Sequence, residues 1–263
     1  MNQYISTLGW DTSQYHLVDV FSTEEWALEM IPQPVVAVLL LYPLTPVQLQ
    51  YEQQEAAALR PAPVSNENGG AEDDVWFIKQ RIGNACGTIG LLHAMMNAVQ
   101  QQQQGSATGT TAAPLIRPNS WLEEFWTSTR PTATTDPRLR AERLEQDPRI
   151  ATLHDQATSS RDNQTSRGET VDDDIITHFI ALVSGCHNVG TGSSTSTTAT
   201  SPSVLYELDG RKGQPIRHGT TAGHNATLLP DACRIIREQF MARDPQELRF
   251  TILALAPHTD PEE

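Results

Sequence analysis

A cysteine opening an apolar helix, with a glutamine six residues before it, is where this 263-residue sequence most readily builds chemistry. The stretch 75–97, VWFIKQRIGNACGTIGLLHAMMN, starts as an apolar run, breaks between Gln80 and Ala85, and resumes as a helical pattern at Cys86. There Ile89, Leu92, Met95 and Met96 recur at three- and four-residue steps, the period of a helix with one buried face. Free N–H groups and the positive dipole end at a helix start favour an anion, so they promote the Cys86 thiolate. The Gln80 side-chain amide can donate a hydrogen bond toward whatever that thiolate attacks. Nucleophile plus amide donor at this spacing reads as cysteine-based acyl transfer.

Such chemistry needs a base, and eight histidines are available. His178 opens the apolar run 178–183, HFIALV, whose natural partner is 204–209, VLYELD. An antiparallel register with Val183 opposite Val204 places His178 opposite Asp209 on one face of the sheet. The loop 184–203 then emerges roughly 17 Å away and leaves the pair uncovered. An aspartate beside a histidine fixes its tautomer and stabilises the imidazolium. Each residue taken singly also has a plainer reading. Cys86 fills a core, His178 is a satisfied strand histidine, and Asp209-Gly210 is a turn. Spacing alone leaves the two readings balanced. Cys86 outranks Cys186, which falls in a Gly/Ser/Thr loop, and Cys233, inside a late helix. His93, two helical turns beyond Cys86, reads as a packing residue.

The remaining elements must position these groups. Residues 1–9 read as a short helix, 16–21 as a strand, and a short helix follows Ser22 until Pro32 and Pro34 stop it. The run 35–41, VVAVLLL, reads as a central strand because it is apolar on both faces. Helices are expected from Pro46 to about Arg60, after Ser120, over about 138–154 and over about 228–241, with a closing strand at 248–256. Mixed elements without a βαβ rhythm predict an α+β fold with a largely antiparallel sheet and helices on both sides. Segments 61–74, 100–113 and 184–203 are turn-forming, glutamine-rich or Gly/Ser/Thr-rich, and are expected to be disordered insertions. Three scattered cysteines exclude a disulfide framework and give no zinc spacing. With no signal-peptide pattern and no apolar run long enough to span a bilayer, a soluble cytoplasmic protein with access to the nucleus is expected. A net charge of −14 argues against nucleic acid and anionic membranes, and favours solubility or a basic partner.

Several segments resemble the ubiquitin C-terminal hydrolases, a family of papain-like cysteine peptidases. QRIGNACGTIGLLH at 80–93 is similar to that family's glutamine and nucleophile segment, THFIALV at 177–183 to its histidine strand, and LYELDGR at 205–211 to its aspartate strand. LVDVF at 17–21, PQPVVAVLLLYPLT at 32–45, RAERLEQDPRIATLHD at 140–155 and RDPQELRFTILAL at 243–255 also resemble family segments. The resemblance implies one catalytic domain over 1–263 with the papain-like fold of this family, no cofactor and no metal. It implies Cys86 as nucleophile, His178 as base and then acid, Asp209 as its orienter, and Gln80 in the oxyanion hole. The partner would be ubiquitin, whose basic tail suits an acidic enzyme, or a relative such as NEDD8. A crossover loop at about 156–171 would limit the leaving group to small adducts, peptides or a conjugated lysine. The short C-terminus implies a free-standing monomer. The competing expectation is a protein that keeps the fold and sequesters ubiquitin with little turnover.

Overall fold

The computed structural model describes residues 1–58, 75–105, 113–150, 152, 176–186, 203–221 and 227–259. Six strands form one sheet: β1 (Tyr15–Asp19), β2 (Ala37–Pro43), β3 (Thr177–Cys186), β4 (Ser203–Leu208), β5 (Ile216–Thr221) and β6 (Thr251–Pro257). Their order is β1-β6-β2-β3-β4-β5, and every neighbouring pair runs antiparallel. The central strands β2 and β3 are apolar on both faces because both are covered. Leu39, Ala181 and Val183 enter one core, while Val38, Leu40, Ile180 and Leu182 enter the other.

The first core is capped by α1 (Asn2–Leu8), α4 (Cys86–Gly105), α5 (Trp121–Thr129) and α6 (Pro137–Gln146). The second is capped by α7 (Leu228–Ile235), which widens through a π turn at Ile236–Phe240, with residues beside α2 (Glu25–Leu28) joining it. Helix α3 (Pro46–Ala58) is tied to this side by hydrogen bonds from Tyr42 Oη to Glu52 (2.9 Å) and from Gln48 Nε2 to the Phe240 carbonyl (2.8 Å). The α+β sheet flanked on both sides is therefore as the sequence predicts.

Four of the expected details differ. Val183 pairs with Tyr206 rather than Val204, so the β3–β4 register is two residues from the expected one. Strand β3 also runs on through Ser184 and Gly185 to Cys186, which pairs with Ser203 instead of lying in a loop. The glutamine run 100–104 is the last part of α4, not a disordered segment. Glutamine is a good helix former, and Gln101 Nε2 reaches the Ser184 carbonyl at 2.5 Å, docking the run on β3. The helix expected over 138–154 breaks at Asp147, since a residue before proline is pushed out of the helical region. Asp147 stands at φ −85, ψ 108, with its carboxylate accepting from the Arg149 N–H at 2.9 Å. The expected disorder at 61–74, at 106–112 within 100–113 and at 187–202 within 184–203, and the crossover loop at about 156–171, lie outside the described residues.

Candidate active site

Cys86 is the first residue of α4, and Ala85 stands at the N-cap, its carbonyl accepting from the Ile89 N–H at 2.9 Å. Alanine has no side-chain acceptor, so it leaves the first helical N–H groups without the usual cap. They stay available to an anion, as a thiolate and an oxyanion require. Asn84, just before, takes the left-handed conformation at φ 56, one that asparagine tolerates well. The helix sits close on β3 because Gly87 and Gly90 face Phe179. A side-chain carbon at Gly87 would lie 3.5 Å from that ring. This seating brings the Cys86 sulfur against the backbone of Phe179 and the ring of His178.

Burial alone would raise the Cys86 pKa. Hydrogen bonds from His178 and from the backbone of Phe179 and Gly87 outweigh it and bring the pKa below the ordinary thiol value. His178 Nε2 lies 2.8 Å from Asp209 Oδ1, so Nδ1 is the ring nitrogen left for the thiol. Both partners are buried, at 3% and 1% exposure. Burial opposes a charged imidazole. The hydrogen bonds to Asp209 and Cys86 nevertheless lift His178 to about 9, which favours an imidazolium beside a thiolate. The ring is also supported by Tyr42, its partner on β2, edge-on at 5.9 Å.

The two-residue register difference did not break the histidine–aspartate pair. Continuing the observed ladder one step places Asp209 beside Ile180, so His178 and Asp209 share a face and meet diagonally. The far ends of the strands, Cys186 and Ser203, are eight residues from His178 along β3, roughly 26 Å. Asp209 Oδ1 also accepts from the Arg211 N–H at 2.8 Å, and the Lys212 N–H closes the turn on the Asp209 carbonyl at 3.0 Å.

Gln80 belongs to an extended segment, 75–80, outside the sheet. Its N–H donates to the Gly210 carbonyl at 2.8 Å, tying it to the turn that carries Asp209. A side-chain carbon at Gly210 would come within 2.9 Å of Gln80 Cβ and 2.7 Å of Ile89 Cγ2, so only glycine allows this approach. One Nε2–H of Gln80 goes to the Ile82 carbonyl at 3.2 Å, which leaves the second for a ligand. The structure thus brings Cys86, His178 and Asp209 into one hydrogen-bonded chain and sets Gln80 beside it.

Comparison with known proteins gives the family. Residues 1–242 match the family model described as ubiquitin carboxyl-terminal hydrolase, family 1. The chain belongs to this family. It is 34% identical over 259 residues to ubiquitin carboxyl-terminal hydrolase 3 of Arabidopsis thaliana, covering 98% of this chain and 91% of the relative. To the human isozyme L1 it is 34% identical over 255 residues, covering 97% and 93%. The solved catalytic domain of Trichinella spiralis UCH37, bound to ubiquitin vinyl methyl ester, shares the fold with a TM-score of 0.59 and 19% identity, over 98% of this chain and 91% of that one. The protein is a thiol-dependent ubiquitin hydrolase.

Sequence reasoning missed the residues with which this hydrolase holds its glutamine segment. Asn97 accepts from the Trp76 N–H and donates to its carbonyl, both at 2.8 Å, copying one rung of a β-ladder. His93 Nε2 lies 3.2 Å from the Ile78 nitrogen and 3.1 Å from its carbonyl oxygen, and burial pushes this ring down to about 4, so it stays neutral. Arg140 donates to the Phe77 carbonyl at 2.9 Å and to the carbonyls of Thr129 and Thr134. A segment without strand neighbours thus has its backbone satisfied by side chains. The available signal was spacing, since His93 and Asn97 are polar positions seven and eleven residues after Cys86 on an otherwise apolar helix. Cys233 is buried and pushed up to about 12, as an inert core thiol should be.

Proposed function

We propose that Cys86, His178, Asp209 and Gln80 cleave the bond after the C-terminal glycine of ubiquitin. The Cys86 thiolate attacks the glycine carbonyl carbon, a C–S bond forms, and the carbonyl oxygen becomes an oxyanion. The free Gln80 Nε2–H and the backbone N–H of Cys86 stabilise that charge. The C–N bond then breaks, and His178 gives its proton to the departing amine, leaving a thioester. Water adds to the thioester carbonyl as His178 takes its proton, and the thiolate leaves. The Cys86–His178–Asp209 chain of hydrogen bonds carries this reading, since it supplies a lowered thiol and a raised imidazole together. Ubiquitin as the partner is supported by the ubiquitin vinyl methyl ester found on two UCH37 structures of like fold. Small adducts, peptide extensions and conjugated lysines are the leaving groups this reading includes.

The test is intact mass after incubation with ubiquitin carrying a C-terminal vinyl methyl ester, on wild type and Cys86→Ala. The expected result is a gain of one ubiquitin in wild type alone. No gain in wild type, alongside measurable non-covalent binding of ubiquitin, would instead favour a sequestering protein. A NEDD8 probe run in parallel measures whether the site is shared.

A further inference from the structure

Behind the Asp209 turn lies a cluster of charged groups that the reaction above does not use. Lys212 Nζ sits 2.5 Å from Glu207 Oε1 on β4 and 2.5 Å from Glu55 Oε2 on α3. The other Glu207 oxygen is 2.9 Å from His218 Nε2 on β5. Glu207 and His218 side chains are 2% and 4% exposed, Lys212 and Glu55 14% and 19%. Burial works against a charged Glu207, yet Lys212 and His218 hold it at about 2. Burial likewise opposes the ammonium, and the two carboxylates push the Lys212 pKa up. Desolvating such a group is costly, and removing one member leaves the rest uncompensated.

We propose that Lys212 is a positioning residue, clamped between Glu55 and Glu207 so that its turn aims Asp209 at His178. The turn is held along its length. Gln80 N–H takes the Gly210 carbonyl, Lys79 Nζ takes the carbonyls of Arg211 and Lys212, and Lys212 N–H takes the carbonyl of Asp209. The Lys212 side chain reaches inward to both a strand and a helix, and among the described residues Arg211–Glu52 at 3.4 Å is the other ion pair from the turn to α3. The clamp therefore fixes the catalytic carboxylate relative to α3 as well as to β4. This inference rests on the roles proposed above for His178 and Asp209.

The direction of one shift tests it. Lys212 also acts on Asp209 through space, and as a cation it disfavours charge on a nearby imidazole. If Lys212 acted only through its field, Lys212→Met would raise the His178 pKa, and a variant that removes Lys212 together with an opposed carboxylate would leave the Cys86 midpoint and kcat unchanged. If it positions Asp209, the carboxylate drifts, the His178 pKa falls, and the Cys86 thiolate forms at higher pH. The measurement is the rate of Cys86 alkylation by iodoacetamide against pH, with Cys86→Ala as the blank, together with kcat and KM on a fluorogenic ubiquitin amide. Expected for Lys212→Met are an alkylation midpoint at least half a pH unit higher, a kcat at least tenfold lower, and a KM within twofold of wild type. Glu207→Gln/Lys212→Met, which removes both opposed charges, guards against a single variant that fails to fold and should show the same shifts. An unmoved midpoint with normal kcat in that double variant, or a midpoint moved to lower pH, overturns the proposal. Alkylation needs no ubiquitin. A wild type that alkylates normally but cleaves no ubiquitin amide would count against the substrate reading, and the midpoint would still decide the role of Lys212.

Discussion

His178 has two neighbours that pull its proton the same way, and this sets the pH behaviour expected of the enzyme. With a pKa lifted to about 9, the imidazolium persists through neutral pH and is lost only above that value. Activity should therefore fall on the alkaline side near pH 9, as the acid for the leaving group disappears, and on the acid side as the thiolate is protonated. Asp209→Asn removes the anion that lifts His178 while burial still opposes charge, so the alkaline limb moves down toward 6.5. We expect kcat to drop on the order of 10²- to 10⁴-fold, read from kcat/KM profiles of both proteins. Gln80→Ala removes the proposed oxyanion donor, with an expected loss of about 10²- to 10³-fold in kcat and little change in KM. The gathering of these four residues was legible because each has a type suited to its proposed role and lies in a recognisable segment. Lys212, Asn97 and Arg140 were not, since a lysine after a turn or a polar residue on a helix acquires meaning only from what folds against it.

Elements were legible wherever one pattern dominated, and misread where two patterns competed. Strand β5, IRHGTT, was missed because it is short, polar or glycine at every position after Ile216, and paired only with β4, with a register shift between Val204 and Tyr206. The β3–β4 register was misjudged because the apolar run does not end where the strand does. Ser184, Gly185 and Cys186 continue it as small, weakly hydrophobic residues, and Gly185 is required there. A side-chain carbon at Gly185 would meet Tyr206 at 2.7 Å and Val75 at 2.8 Å. An error of two residues keeps side chains on the same face, which is why the histidine–aspartate pair survived it. Two glycines near the site now predict opposite outcomes. Gly210→Ala drives a carbon into Ile89 and Gln80, so it should cost about 1–3 kcal/mol and lower kcat by separating the Asp209 turn from the glutamine segment. Gly83→Ala meets nothing within 4 Å and should change stability by less than about 1 kcal/mol with activity unchanged. Thermal melts and kcat on the pair check both, and equal behaviour of the two variants would contradict the close approach at Gly210.

At the scale of the molecule, the sheet divides the chemistry between its two sides. The proposed nucleophile and oxyanion donor come from α4 and the segment it braces in the first core. The proposed acid–base groups come from β3 and the turn after β4, on the face toward α3 and α7. The site is complete only when α4 is seated on β3, so packing and catalysis share the same contacts. Net charge acts over a longer range. At −14 the chain is surrounded by a field that extends about 8–10 Å at ordinary ionic strength, and salt shortens it. If that charge draws in the basic tail of ubiquitin, raising salt from about 0.02 to 0.5 M weakens encounter without touching groups already docked at Cys86. KM should then rise several-fold while kcat stays level. The alkylation midpoint of Cys86, set by buried neighbours at hydrogen-bond distance, should move far less over the same range, because buried pairs are poorly screened. A KM that ignores salt would assign the acidity to solubility alone, and recognition of the tail would then rest on contacts too short-ranged for ions to screen.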